Sequence, residues 1–187
     1  IIKDTVPDGT EQFGFTTDFD GAFTLQDDGD EGTNPSMKVF DGLAPGTFMV
    51  TEDVNTAYVQ SVSCIEDKDQ DTTTSGLDAS IEIQPDETVL CTYINVKKPT
   101  ITVEKVIIGT NGDNSPPLPD EFDLEINGQL TNFGTTVTVD PNTAVLITET
   151  ETGDYIFGQI TGDPKCPDLL NGGVISEKSG LTDLLVP

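Results

Sequence analysis

The 187-residue sequence contains no histidine and no tryptophan, and it has only three cysteines. Histidine is the commonest general base in enzymes and the commonest protein metal ligand, so the usual parts of a catalytic or zinc site are missing. The sequence also lacks a glycine-rich phosphate loop, a zinc-ligand set and a nucleophile–histidine pair. We therefore expect a protein that is not an enzyme.

Positive charge is equally scarce. Eight lysine and arginine residues stand against 34 acidic residues, which gives a formal net charge of -26. A surface of this charge repels nucleic acid and anionic lipid, so we expect neither as a partner. No apolar run approaches the roughly 20 residues that span a bilayer, so direct membrane insertion is not expected either.

Short segments rich in valine, isoleucine, threonine and aromatic residues recur along the chain. Examples are residues 48–52 (FMVTE), 58–64 (YVQSVSC) and 89–95 (VLCTYIN). They alternate between apolar and polar side chains, are separated by turn signals at intervals of about 8 to 12 residues, and show no 3.6-residue period. The pattern predicts an all-β, Ig-like sandwich with almost no helix.

The second half of the chain repeats the order of the first. A basic joint at residues 97–99 (KKP) separates the halves, because proline interrupts strand pairing. The matching segments are residues 101–108 and 1–6, residues 122–126 and 13–17, residues 145–149 and 48–52, and residues 155–166 and 58–64. We predict two tandem sandwiches, residues 1–97 and 98–187.

The repeat fails at its end. The first half closes with CTYIN, whereas residues 172–175 (GGVI) and 181–187 (LTDLLVP) of the second half offer no equivalent. Either the strand has been trimmed from this chain or the second sandwich lacks it by design. We predict an unpaired backbone edge near Leu184, which a strand donated by a neighbour would fill.

Four features together resemble the prealbumin-like, CnaB/SpaA-type β-sandwich: a lysine in the opening strand (IIKD, TVEK), GTFMVTE, a strand ending in SVSC, and CTYIN. That family builds pilins, adhesin stalks and other surface proteins of bacteria and archaea. The resemblance implies an extracellular, cell-surface structural subunit that polymerises with other copies of itself into a filament or pilus. The alternative is a monomeric adhesin or stalk module, a spacer or carbohydrate binder, cut from a longer surface protein.

The same resemblance implies a spontaneous lysine–asparagine isopeptide bond promoted by an acid. The corresponding residues are Lys3, Glu52 and Asn95 in the first half. The second half has Lys105 and Glu149 but no matching asparagine, so a bond there needs a residue from another chain. The alternative for either pair is an ordinary ion pair at the rim of the sandwich.

The layout of the family also suggests a disulfide between Cys64 and Cys91, at the end of one strand and within the closing strand. Two buried free thiols are the alternative. Cys166 matches Cys64 by position but has no partner, which indicates an intermolecular bond or a lost segment.

Calcium is the one cofactor to which the sequence points. Asp67, Asp69 and Asp71 have the every-second-residue spacing of a calcium loop, but the glycine and the terminal glutamate of an EF-hand are missing. The alternative is a solvated acidic loop, which a chain with so many acids produces by chance.

Overall fold

A computed structural model describes residues 1–29, 35–108, 114–115, 122–151 and 181–185. These residues form β-strands and contain no helix, so the predicted all-β class is confirmed. The strands of the first half are β1 (Ile2–Val6), β2 (Gly9–Thr17), β3 (Ala22–Asp27), β4 (Gly46–Glu52), β5 (Tyr58–Glu66), β6 (Thr73–Ser75), β7 (Asp78–Ile83) and β8 (Val89–Lys97).

The chain divides into two compact units, Ile1–Lys97 and Lys98–Pro187. The division falls inside the basic joint that precedes Pro99. The strands described in the second unit are β9 (Thr100–Thr102), β10 (Ile107–Ile108), β11 (Asn114–Ser115), β12 (Phe122–Ile126), β13 (Gln129–Thr131), β14 (Thr136–Thr138), β15 (Ala144–Glu151) and β16 (Leu181–Leu185).

The first unit is a sandwich of two sheets. The larger sheet has the strand order β3-β2-β4-β7-β6, and the smaller has the order β1-β8-β5. Alternate residues of each strand point into one shared apolar core. Aromatic rings join the two sheets edge to face, since the Phe13 and Tyr58 centroids lie 5.1 Å apart and those of Phe15 and Tyr93 also lie 5.1 Å apart.

The opening and closing strands of the first unit run side by side. Strand β1 pairs with β8 in parallel, which places Thr5 opposite Asn95. The other edge of β1 is also bonded, because Lys3 N donates to Ser36 O at 2.7 Å and Lys38 N donates to Ile1 O at 2.9 Å. Both edges of the opening strand are therefore occupied.

The second unit contains a four-stranded sheet of order β13-β12-β15-β16. Its β12–β13 hairpin turns at Asn127 and Gly128, whose φ angles of 52° and 74° suit a type I′ turn. Strand β9 pairs with β14, and β10 pairs with β11. The Asn-Gly pair in the sequence is itself a strong hairpin signal.

The register of the second unit follows that of the first. Glu52 lies opposite Phe15 in the β2–β4 pair, and Glu149 lies opposite Leu124 in the β12–β15 pair. This is the alignment that the repeat predicts. A common fold for both units stays a prediction, which the shared register supports.

Strand β16 pairs with β15, with Val145 opposite Leu184, and it is the outermost described strand of its sheet. An open edge near Leu184 therefore stays a prediction, which now concerns only the outer side of β16. The position is informative: β16 lies beside β15 as β7 lies beside β4, not where β8 lies beside β1. The predicted strand at residues 155–166 lies outside the described residues. Whether the second unit lacks a counterpart of β8 stays a prediction.

One local prediction was wrong. Residues 101–108 do not form one strand, because β9 ends at Thr102 and the next strand, β10, begins at Ile107 and pairs with β11. In the first unit, Met37 forms a single bridge to Ile2, and residues 38–40 form no strand. The edge strand β6 pairs with β7.

Candidate functional site

Three polar side chains are buried together in the core of the first unit. Lys3 comes from β1, Glu52 from the end of β4 and Asn95 from β8, and each residue is at most 1% exposed. The strand period explains this placement: Val50 and Glu52 share the inward face of β4, and Tyr93 and Asn95 share that of β8. The structure thus brings together the three residues that the resemblance singles out.

The carboxylate of Glu52 is the centre of the group. Lys3 Nζ lies 3.5 Å from Glu52 Oε1, and Asn95 Nδ2 donates a hydrogen bond of 2.8 Å to the same oxygen. Gln60 Nε2 donates to Glu52 Oε2 at 2.9 Å. Lys3 Nζ also donates to the backbone oxygen of Tyr93 at 2.8 Å. Asn95 Oδ1 is buried and accepts no hydrogen bond.

Apolar and aromatic groups surround these polar atoms. The Lys3 ammonium nitrogen lies 4.6 Å from the centroid of the Phe13 ring. The Tyr93 hydroxyl donates to Val50 O at 2.8 Å, and burial raises the pKa of that hydroxyl. Lys3, Glu52 and Asn95 are each at most 1% exposed, so their polar atoms have little contact with solvent.

Burial shifts the two ionisable members toward their neutral forms. Desolvation lowers the pKa of Lys3, and the nearby Glu52 carboxylate opposes that shift. Desolvation raises the pKa of Glu52, and the Lys3 charge and the Asn95 hydrogen bond oppose it. An amine and a carboxyl group held this way have ready access to the uncharged pair that nucleophilic attack on an amide requires.

Our reading of the sequence missed two supporting residues, Gln60 and Tyr93. Tyr93 could have been found, because it lies midway between Cys91 and Asn95 on the inward face of β8. Gln60 gave no signal, since its role depends on β5 lying antiparallel to β8, where Gln60 is opposite Asn95.

The second unit contains the corresponding lysine and glutamate. Lys105 Nζ forms an ion pair with Glu149 Oε1, and the two side chains are 17% and 12% exposed. The Lys105 nitrogen lies 4.0 Å from the centroid of the Phe122 ring. Among the described residues, no asparagine side chain is hydrogen-bonded to this pair, so the amide member of the group is not supplied there.

The structure joins Cys64 to Cys91 in a disulfide, as predicted, and so excludes the alternative of two free thiols. The two residues are directly opposite in the β5–β8 ladder. Cys166 lies outside the described residues, so its predicted lack of a partner stays a prediction.

The three aspartates of the predicted calcium loop are placed differently from one another. Asp67 Oδ1 accepts a hydrogen bond from Thr88 N at 3.0 Å, while Asp69 and Asp71 both accept from the side chain of Gln84. Carboxylate oxygens of Asp69, Glu66 and Glu87 lie within 4.8 Å of one another. Glu66 and Glu87 were not predicted from the sequence, because neither continues the every-second-residue spacing of Asp67, Asp69 and Asp71.

Glu66 also binds the backbone of the loop that follows β5. Its two carboxylate oxygens accept hydrogen bonds from Asp71 N at 3.0 Å and from Thr72 N at 2.8 Å. A hydrogen bond from the Thr72 side chain holds the pKa of Glu66 below its ordinary value. The glutamate that ends β5 therefore shapes the loop that follows it.

Comparison with known proteins agrees with this geometry. A family described as a prealbumin-like fold domain, of the SpaA type, matches residues 1–97, just over half of the chain. The chain belongs to this family. SpaA-type prealbumin-like domains are modules of pilins and other surface proteins, and their role is typically structural or adhesive. The chain has no match among curated proteins or among solved structures. The described residues include no helix of the length and apolarity that crossing a membrane requires.

Proposed function

We propose that the chain is a secreted structural subunit of a cell-surface filament or pilus, which polymerises head to tail by strand donation into its second unit. Membership of the prealbumin-like family supports the structural role. The Cys64–Cys91 disulfide supports secretion, because such bonds persist in oxidising surroundings outside the cytoplasm.

The observation that carries the proposal is one edge of β9 with which no described strand pairs, which we call the free edge of β9. Val139 N donates to Pro99 O at 3.0 Å and Gly134 N donates to Val103 O at 2.8 Å, so these positions of β9 bond toward β14. Alternate residues of a strand bond toward opposite edges, and Thr100 and Thr102 therefore direct their backbone groups away from β14.

In the first unit the corresponding edge of β1 is filled by β8, in parallel. No described strand of the second unit pairs with this edge of β9. A strand from another copy, seated parallel to β9, would satisfy Thr100 and Thr102 and continue the sheet across subunits. Such a contact joins two different surfaces of the same protein, so it propagates into a fibre instead of closing as a dimer.

A covalent cross-link within the first unit fits a subunit that carries tension. The uncharged Lys3 amine attacks Asn95 Cγ, a bond forms between Lys3 Nζ and Cγ, and the bond between Cγ and Nδ2 breaks. Glu52 donates its proton to the leaving nitrogen and recovers one from the lysine nitrogen, so ammonia leaves and the carboxyl group is regenerated. The contacts at 3.5 and 2.8 Å support this assignment of roles.

The Lys105–Glu149 pair suggests that a similar isopeptide bond joins neighbouring subunits in the filament. Because no described asparagine is bonded to this pair, a donated strand that carries an amide beside Glu149 could form the same bond between subunits. The strand contact would then become covalent.

The experiment uses two substitutions at one position. Thr102→Pro removes the backbone N–H that points to the free edge, while the bonds of Pro99 and Val103 to β14 remain. Thr102→Val keeps that N–H but loses the hydroxyl contact of 2.8 Å with Thr136, so it is the matched control. We expect the unsubstituted chain and the valine variant to form uniform filaments in electron micrographs, and the proline variant to form none.

Two results would contradict strand donation. One is an unsubstituted chain that stays monomeric in sedimentation at high concentration, which would favour the monomeric adhesin or stalk module. The other is a proline variant that assembles as well as the valine variant, which would show that the free edge of β9 takes no part in assembly.

A further inference from the structure

Four carboxylates meet at one end of the first unit. Glu66 ends β5, Asp69 and Asp71 belong to the loop that follows, and Glu87 precedes β8; we call these four residues the acidic cluster. Oxygens of Glu66, Asp69 and Glu87 lie within 4.8 Å of one another. Like charges this close repel one another, so a positive charge among them would stabilise the arrangement.

The chain supplies no such charge among its described residues. None of their ion pairs includes a member of the acidic cluster. The nearest lysine in sequence, Lys68, is exposed and donates its ammonium hydrogen to Pro85 O. Gln84 donates to Asp69 and Asp71, but an amide contributes hydrogen bonds and no net charge.

A second observation points to a ligand. Three oxygens of the cluster, Asp69 Oδ1, Asp71 Oδ1 and Glu87 Oε1, are buried from solvent and accept no hydrogen bond. Buried polar atoms are almost always paired, because burial without a partner removes the hydration of a charged oxygen and gives nothing in return. Three unpaired oxygens on three side chains of one cluster are what a bound cation would satisfy.

The chemistry of the donors selects the class of cation. All the side chains are carboxylates, which favour hard cations over zinc or copper. Calcium takes about six to eight oxygen ligands, whereas magnesium keeps several of its waters and is usually held by only one or two carboxylates. A site built from three or four carboxylates, with oxygens close enough to share one ion, therefore favours calcium.

We propose that the acidic cluster is a calcium site, in which carboxylate oxygens of Glu66, Asp69 and Glu87 hold the ion and Asp71 completes one side. The site differs from the spacing-based prediction, because Asp67 instead caps Thr88 N. It lies two residues beyond the disulfide in the same ladder, since Glu66 is opposite Val89 and Cys64 is opposite Cys91. Calcium and disulfide would therefore brace the same end of the β5–β8 pair.

Calorimetric titration of calcium into the chelator-treated full chain tests the site, with about 0.15 M potassium chloride present to screen diffuse attraction to the acidic surface. We expect one saturable site. Asp69→Asn and Glu87→Gln should each weaken binding at least about tenfold, the smaller loss seen when a group around a metal is removed. Asp8→Asn removes the same charge at an exposed turn, so it is the matched control and should leave the affinity within about twofold.

Thermal unfolding separates a lost ligand from a misfolded variant. Calcium should raise the melting temperature of the parent chain and of Asp8→Asn, and should raise that of Asp69→Asn much less. In chelator, Asp69→Asn should melt no lower than the parent, because the substitution relieves repulsion within the cluster. Absence of a saturable site, equal weakening by Asp8→Asn, or equally tight binding of magnesium would each overturn the proposal.

Discussion

Replacing Glu52 by glutamine tests the buried group most sharply. The substitution keeps the size of a fully buried side chain but removes the acid that contacts both Lys3 and Asn95. If Glu52 promotes the bond, the variant retains a free amine and a free amide. Its intact mass should then exceed that of the cross-linked parent by one ammonia, beyond the difference due to the substitution.

The size of the stability change follows from the loop that the bond closes. Lys3 and Tyr93 are 90 residues apart, and Asn95 lies just beyond. The loop-closure relation for a cross-link of about this length gives about 4 to 5 kcal/mol. The variant also leaves the Lys3 amine buried without a carboxylate partner, which lowers the free energy of unfolding further. We therefore expect the free energy of unfolding to fall by at least about 4 kcal/mol.

Denaturant unfolding, followed in parallel with intact mass, provides the assay. Glu82→Gln is the control, because Glu82 is an exposed glutamate of the adjacent strand β7 and its replacement changes the net charge equally. The control should keep both the loss of ammonia and the stability of the parent. A parent chain with its full unmodified mass, or a Glu52→Gln variant that still loses ammonia, would refute the proposed chemistry.

Three further predictions concern the first unit. Replacing Cys64 and Cys91 together by alanine opens a loop of 27 residues and should lower the free energy of unfolding by about 3 to 4 kcal/mol in denaturant titrations; an unchanged value would contradict the role of the disulfide. Tyr93→Phe removes the hydrogen bond to Val50 O and should cost about 1 to 3 kcal/mol by the same measurement, with no loss meaning that the buried oxygen finds another partner. Asn95→Ala cannot form the isopeptide bond, so Glu52 and Lys3 both stay free to titrate. Burial raises the pKa of Glu52, so the folded state holds that proton more tightly than the unfolded state does. The Glu52 contribution to the free energy of unfolding should therefore be present below pH 4.5 and lost as the pH rises through the raised pKa. Burial lowers the pKa of Lys3 from 10.5, so its contribution has the opposite pH dependence. The Lys3 contribution should be present above pH 10.5 and lost as the pH falls through the lowered pKa. If adding Lys3→Met to Asn95→Ala leaves the pH dependence of stability unchanged, this assignment is contradicted.

The sequence predicted the fold where local pattern and burial agree. The FMVTE segment alternates cleanly, and the structure buries Val50 and Glu52 on one face of β4 as that alternation requires. In the second unit, burial also alternates from Ile101 to Ile107, although the strand itself is interrupted. Side-chain alternation thus predicted which face is inward, but it did not predict which backbone groups find partners.

Pairing between distant segments of the chain could not be predicted from the sequence. Strand β9 has the composition of a longer strand, yet the described chain pairs it only with β14, and its ladder ends at Thr102. Strand β1 continues for five residues because β8 lies along its second edge. The acidic cluster has the same origin: local spacing pointed to Asp67, whereas the fold brings Glu87, from the connection between β7 and β8, close to Asp69.

The most direct test of the account is the density beside β9 in filaments of this chain imaged by electron cryomicroscopy. Strand donation predicts an extended segment of a neighbouring copy that runs parallel to β9 and bonds to Thr100 and Thr102, as β8 bonds to β1 in the first unit. A segment of the same chain seated along that edge, or an edge that faces solvent in the filament, would contradict it.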